Sequence, residues 1–130
     1  MDSKKFDPEE LKKRLTPIQY SVTQEKATEG SFSGEYDVFF RDGSYFCIVC
    51  NQKLFESGQK FDSGCGWPAF FDSQKGSINE KGDHSHGMTR VEVVCSGCNA
   101  HLGHVFEDGP KPTGKRYCIN SASLNFEKKM

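Results

Sequence analysis

The sequence carries almost no net charge: 17 basic residues against 18 acidic ones leave −1. It holds no basic stripe, which excludes an electrostatic case for nucleic acid or an anionic membrane as partner. Long hydrophobic runs are also missing, and no stretch approaches the roughly 20 apolar residues that a membrane-spanning helix needs. The opening residues, Met1-Asp2-Ser3-Lys4-Lys5-Phe6, contain no apolar leader segment, so no secretory signal is visible and the expected location is cytoplasmic. Apolar residues make up only 35% of the chain, a low share for a globular protein. Low-complexity tracts are lacking, and nothing repeats beyond two CxxC pairs.

What is present partly offsets the thin apolar content. The 130 residues include 11 Phe, 4 Tyr and 1 Trp, enough for one domain, 1–130, with a modest core. Six cysteines in a reducing compartment argue against a disulfide framework and for metal or redox chemistry.

The chain divides at about residue 34. Asp7-Pro8-Glu9-Glu10 offers an N-cap, a proline at the first helical position and a Glu at the third. Thr16-Pro17-Ile18-Gln19 repeats that logic, so two short helices are expected at about 8–14 and 17–26. From 35 to 127 the sequence turns to Gly, aromatics and β-branched residues between turn signals. Val38–Phe40, Ser44–Phe46, Ile78, Thr89–Val94 and one long run Tyr117–Phe126 read as strands. Arg41-Asp42-Gly43 and Glu107-Asp108-Gly109-Pro110 read as turns. The expected class is mainly antiparallel β with short N-terminal helices.

Cys47-Ile48-Val49-Cys50 and Cys95-Ser96-Gly97-Cys98 each point two thiolates at one ion, and together they complete a tetrahedral shell that suits zinc. Gly97 is read as the residue that permits the tight turn. The competing readings are two thioredoxin-like redox pairs or cysteines without a joint role. A closed four-thiolate shell leaves no open position, so the zinc is expected to be single and structural. A zinc hydrolase or deaminase would need an open position and an H-x-E element, which the chain does not have.

Cys65 and Cys118 are left over. In an extended strand, Arg116, Cys118 and Asn120 share a face, which sets a sulfur between a fixed cation and an amide. The same face would continue through Ala122, Leu124 and Phe126 into the core. A cation beside a thiol lowers its pKa and favours the reactive thiolate. His101 and His104 follow the second CxxC pair. If their segment and the Cys118 strand form a hairpin, position 103 is expected opposite 118 and 101 opposite 120. Both histidines are then within one or two residues of the sulfur. Cys65 sits in Gly64-Cys65-Gly66-Trp67-Pro68, a glycine-flanked loop beside the only tryptophan. That stretch reads equally as a small buried thiol beside core aromatics. His84 and His86, an HxH in a Gly-bounded loop, read as loop residues.

Taken together, Gly64–Pro68, Ser85-His86-Gly87-Met88, His101–Phe106, Asp108-Gly109-Pro110, Pro112-Thr113-Gly114 and Arg116–Leu124 resemble the B-type peptide methionine sulfoxide reductases of the zinc-containing form. The resemblance covers about residues 12–127. It implies two antiparallel sheets with peripheral helices and reduction of methionine-R-sulfoxide, free or in oxidised proteins and peptides. It further implies Cys118 as nucleophile and Cys65 as the resolving cysteine, with their disulfide recycled by thioredoxin. His101, His104 and Asn120 match residues that position or protonate the sulfoxide oxygen. Arg116 matches a residue that lowers the Cys118 pKa, and Trp67 matches the apolar wall for the substrate methyl group. A monomer is expected. The rival from another class is a non-catalytic zinc-stapled module that binds a ligand among its aromatics, which would leave Cys118, Arg116 and Asn120 unexplained as a set.

Overall fold

The computed structural model describes residues 8–30, 42–61, 66–83, 89–111 and 113–128. The expected strand at Val38–Phe40, together with Cys65, His84 and His86, lies outside the described residues.

Helix α1 (Pro8–Arg14) and helix α2 (Pro17–Glu25) fall where the caps place them. Thr16 and Gln19 form the reciprocal capping box, each side chain bonding the other residue's backbone N–H. Lys26 ends α2 in the left-handed conformation, at φ 58°. Leu11 and Leu15 are buried in the same core as the strands.

Nine strands follow among the described residues: β1 (Gly43–Cys47), β2 (Lys53–Glu56), β3 (Lys60–Phe61), β4 (Ala69–Phe70), β5 (Ile78–Asp83), β6 (Arg90–Cys95), β7 (His101–Phe106), β8 (Arg116–Ile119) and β9 (Leu124–Lys128). They form two antiparallel sheets, ordered β2-β1-β9 and β3-β4-β8-β7-β6-β5. The mainly β, two-sheet architecture is the expected one. Aromatic rings join the sheets. Phe55 stacks on Phe70 at 4.1 Å between centroids, and Tyr45 meets Phe70 edge-on at 5.1 Å. These large rings supply core volume that a chain with few aliphatics would otherwise lack.

The run expected as one strand from 117 to 126 is two strands in different sheets. β8 stops at Ile119, and a single 3-10 turn, Ser121–Ser123, separates it from β9. Local side-chain bonding is the cause. The Ser123 hydroxyl donates to the Asn120 carbonyl at 2.7 Å, and the Ser123 N–H donates to the same oxygen at 3.1 Å. Leu124 and Phe126 therefore serve the smaller sheet and do not extend the Cys118 face.

Candidate active site and metal centre

The two CxxC pairs fold as matching knuckles. In each, the N–H of the residue after the second cysteine donates to the first cysteine's carbonyl: Asn51 to Cys47 and Asn99 to Cys95, both at 2.8 Å. Both asparagines take a left-handed backbone, at φ 65°. The tight turn thus rests on Asn51 and Asn99, a signal readable as the repeated C-x-x-C-N but not used. Gly97 serves differently. A Cβ there would lie 3.0 Å from Gln52 Oε1 and 3.3 Å from Cys50 Sγ, so glycine leaves room beside the sulfurs.

The four sulfurs lie within 4.8 Å of one another, with Cys47–Cys98 at 3.6 Å and Cys50–Cys95 at 3.5 Å. A tetrahedral zinc with Zn–S bonds of about 2.3 Å requires edges of about 3.8 Å, so the residues fit a structural zinc. Hydrogen bonds that the Cys47 thiol shares with Cys50, Cys95 and Cys98, followed by burial, hold it far above its ordinary pKa. A divalent ion is what lets four such groups ionise together. The Gln52 amide donates to the Ser77 carbonyl at 2.8 Å and to Ser96 Oγ at 3.0 Å, tying one knuckle to the other. The clamp also reaches the turn that follows the reactive strand, because Ile48 N–H donates to the Ser123 carbonyl at 3.0 Å.

Cys118 lies on β8 between β4 and β7. Arg116 and Cys118 are half-buried while Tyr117 and Ile119 are buried, which is the period-2 alternation expected. A cavity of about 280 Å³ opens on this face and is lined by Trp67, His104, Arg116, Cys118 and Asn120, all expected site residues. Thr28, Arg90 and Phe106 also line it and were not anticipated. A wider groove of about 720 Å³ runs along β1, β2 and β9, but its lining (Lys53, Glu56, Lys60 and Glu127 among others) includes no thiol.

The β7–β8 register differs by one residue from the expected one. His104, rather than Gly103, pairs with Cys118, and Phe106 pairs with Arg116. The connecting loop fixes this: Gly109 N–H donates to the Gly114 carbonyl at 3.0 Å, with Gly114 left-handed at φ 71°. A one-residue slip exchanges faces, so the true register is the one that brings His104 to the cysteine's side. Gly103 is pressed against β8, and a Cβ there would meet Cys118 O at 2.1 Å.

His101 lies three positions from His104, a spacing that would normally face away along a strand. The β6–β7 ladder is irregular there: Val93 pairs with Gly103 and Val94 with His101, which skips Leu102. The bulge turns His101 onto the His104 side, with ring centroids 5.6 Å apart. His101 does not line the cavity; it is only 3% exposed and sits behind His104. Its Nδ1 is 2.8 Å from Glu92 Oε2, so Nδ1 carries the hydrogen and Nε2 is left as a buried atom with no partner. Burial pushes the His101 pKa below its ordinary value, and Glu92 opposes that shift. Lys26 Nζ is 3.5 Å from the other Glu92 oxygen.

His104 Nε2 is 2.7 Å from Asp83 Oδ2, and Arg90 lies 3.4 Å from the same oxygen. Arg116 forks onto Asp108 at 2.8 and 3.1 Å while its Cζ sits 4.6 Å from the Phe106 ring centroid. That fork holds the exposed Asp108 carboxyl below its usual range. The Asn120 amide is also fixed. Its Nδ2 donates to the Leu102 carbonyl at 2.9 Å and its Oδ1 accepts from Glu29 N–H at 3.0 Å, which settles the orientation and leaves one Nδ2 hydrogen for the cavity. Trp67 Nε1 donates to the Glu29 carbonyl at 2.9 Å. Sequence reasoning missed Glu92, Asp83 and Glu29, whose partners lie 9, 21 and 91 positions away respectively. No helix among the described residues is long and apolar enough to cross a membrane.

Comparison with known proteins is consistent with this geometry. A SelR domain model matches residues 15–128. A peptide methionine sulfoxide reductase MsrB of Burkholderia lata is 63% identical over 123 residues, covering 93% of this chain and 86% of its own length. That of Burkholderia multivorans gives the same figures. The MsrB of Burkholderia mallei is 62% identical over 125 residues, with 95% and 87% covered.

Proposed function

The chain belongs to the SelR family of B-type peptide methionine sulfoxide reductases, and from that premise we propose how its own residues reduce methionine-R-sulfoxide. The observation that carries the reading is Cys118, with His104 across the ladder and Trp67 and Asn120 on the same cavity. The Cys118 thiolate attacks the sulfoxide sulfur. One proton goes to the sulfoxide oxygen, which passes to Cys118 as a hydroxyl as the bond between the two sulfurs breaks; methionine leaves with that electron pair, so the sulfoxide is reduced and Cys118 is oxidised to a sulfenic acid. His104, held by Asp83, delivers a proton toward that oxygen, and the remaining Asn120 Nδ2 hydrogen orients it. His101, held by Glu92, backs His104. Arg116 raises the positive field at the sulfur from two residues away. Trp67 takes the substrate methyl, so only one epimer can present both methyl and oxygen correctly.

Cys65 then condenses with the sulfenic acid, releasing water and forming a disulfide with Cys118, and the thioredoxin dithiol reduces that disulfide. The sequence supports this step, since Cys65 and Cys118 are the thiols outside the metal shell. A zinc held by Cys47, Cys50, Cys95 and Cys98 would join the knuckles, and its closed four-thiolate shell would offer the substrate no open position. We further propose a cytoplasmic monomer working as one domain, with oxidised proteins and peptides as substrates.

The test is a thioredoxin-coupled assay on both epimers of an N-acetylated methionine sulfoxide. Turnover confined to the R form is expected. Turnover of the S form alone, or of neither, overturns the assignment.

A further inference from the structure

Residues 26–30 follow α2 without regular structure, and Thr28 in this segment lines the cavity. Glu29 comes next and is only 5% exposed. A buried carboxylate is costly unless its oxygens are bonded, and Glu29 Oε2 is buried with no partner. Packing alone does not account for this side chain, because an apolar residue would bury no unbonded oxygen.

The rest of Glu29 is engaged by the site. Its N–H donates to Asn120 Oδ1 at 3.0 Å, and its carbonyl accepts from Trp67 Nε1 at 2.9 Å. Its Oε1 accepts from Ala122 N–H at 2.8 Å, in the 3-10 turn that ends the Cys118 segment. The two backbone groups of one residue therefore hold the residues assigned to opposite sides of the sulfoxide. The side chain is what ties that residue to the reactive segment.

We propose that Glu29 is a positioning residue that sets how the R epimer is held at Cys118. Its carboxylate pins the 26–30 segment, so that its own N–H and C=O keep the Asn120 donor and the Trp67 wall at one separation. This rests on the assignment of Asn120 to the substrate oxygen and Trp67 to the methyl. Removing the Glu29 contact frees both to drift, and misplacement of about 1 Å at a reacting centre costs on the order of 10²-fold in rate.

The test uses full-length, zinc-loaded protein with Glu29→Ala, Glu29→Asp and Glu29→Gln. Gln keeps an oxygen within reach of Ala122 N–H, Asp is too short to reach, and Ala has no acceptor. For Ala and Asp, KM for the R epimer rises and kcat/KM falls by roughly 10- to 100-fold. The emission of Trp67, the only tryptophan, moves to longer wavelength as its indole loses the carbonyl and gains water. Gln retains wild-type kinetics and emission. A merely lower folded fraction would reduce kcat without raising KM. Should the Ala variant fail to fold, the contrast between Asp and Gln decides. Wild-type KM and emission in the Asp variant, or equal loss in Gln and Asp, contradicts the proposal. Wild-type protein inactive on the R form overturns the underlying assignment and this inference with it, and that result appears before any substitution is made.

Discussion

His104 pairs directly with Cys118 across the β7–β8 ladder, and its Nε2 is held 2.7 Å from Asp83 Oδ2. The carboxylate fixes the ring, and the register aims it at the cysteine's face. An acid so placed can meet an oxygen leaving a sulfur bound at Cys118.

His104→Asn removes that acid while keeping a polar side chain of similar reach. We expect kcat/KM for the R epimer to fall by about 10²–10⁴, the usual worth of general acid–base catalysis. Single-turnover methionine release should slow in step, because the lost proton acts before the sulfenic acid forms. Slowing confined to the thioredoxin-dependent phase would contradict the role given to His104.

Gly103→Ala tests the register itself. Its Cβ would lie 2.1 Å from Cys118 O and 3.0 Å from Ile119 Cα, both backbone atoms that cannot turn aside. Overpacking of this kind costs about 1–3 kcal/mol, and for a domain of this size Tm falls by roughly 3–5 °C per kcal/mol. Activity should drop beyond what the lost stability explains, because β7 carries His104 away with it. A variant with unchanged Tm and activity would show that β7 and β8 are not this close.

Removing the metal should unfold the protein. Zinc binding to small structural sites contributes about 10–16 kcal/mol, comparable with or above the roughly 5–15 kcal/mol that stabilises a whole domain. A strong chelator, or Cys50→Ser, is expected to release one zinc and abolish the cooperative thermal transition. Unchanged metal content and Tm in Cys50→Ser would remove Cys50 from the shell.

These features were unequally legible in the sequence. The Thr16 capping box and the CxxC pairs are local, so residue type and spacing were enough to place α2 and the metal shell. The shared face of Arg116 and Cys118 followed from strand alternation. The register did not, because it depends on the left-handed Gly114 and the Gly109–Gly114 bond inside a long loop. The break after Asn120 was hidden because serines at 121 and 123 also fit a strand; only the bonding of Ser123 to the Asn120 carbonyl shows otherwise. Glu92 lies in a strand that was legible, yet its pairing with His101 depends on a bulge that no local pattern announces. Glu29 is more remote still, since its partners Trp67, Asn120 and Ala122 are all distant in sequence.

The buried His101 gives a pH signature. Its folded pKa lies below the ordinary 6.5, through burial first, with Glu92 raising it and His104 and Lys26 lowering it. The unfolded chain therefore binds the extra proton more readily. The stability that neutral His101 contributes is fully present above about pH 6.5 and is lost as pH falls toward its folded pKa. Between pH 7.5 and 5.5, wild-type Tm should fall more than that of His101→Asn. Equal or smaller loss in the wild type would mean that His101 is not held neutral.

The central claim is that Cys118 takes the oxygen from the substrate. The most direct measurement treats the Cys65→Ser variant with one equivalent of methionine-R-sulfoxide, without thioredoxin, and locates the oxygen by mass spectrometry. The account predicts one methionine per enzyme and one added oxygen on the peptide containing Cys118, trappable by a sulfenic-acid reagent. Methionine formed with Cys118 unmodified, or formed equally well by Cys118→Ser, would contradict it.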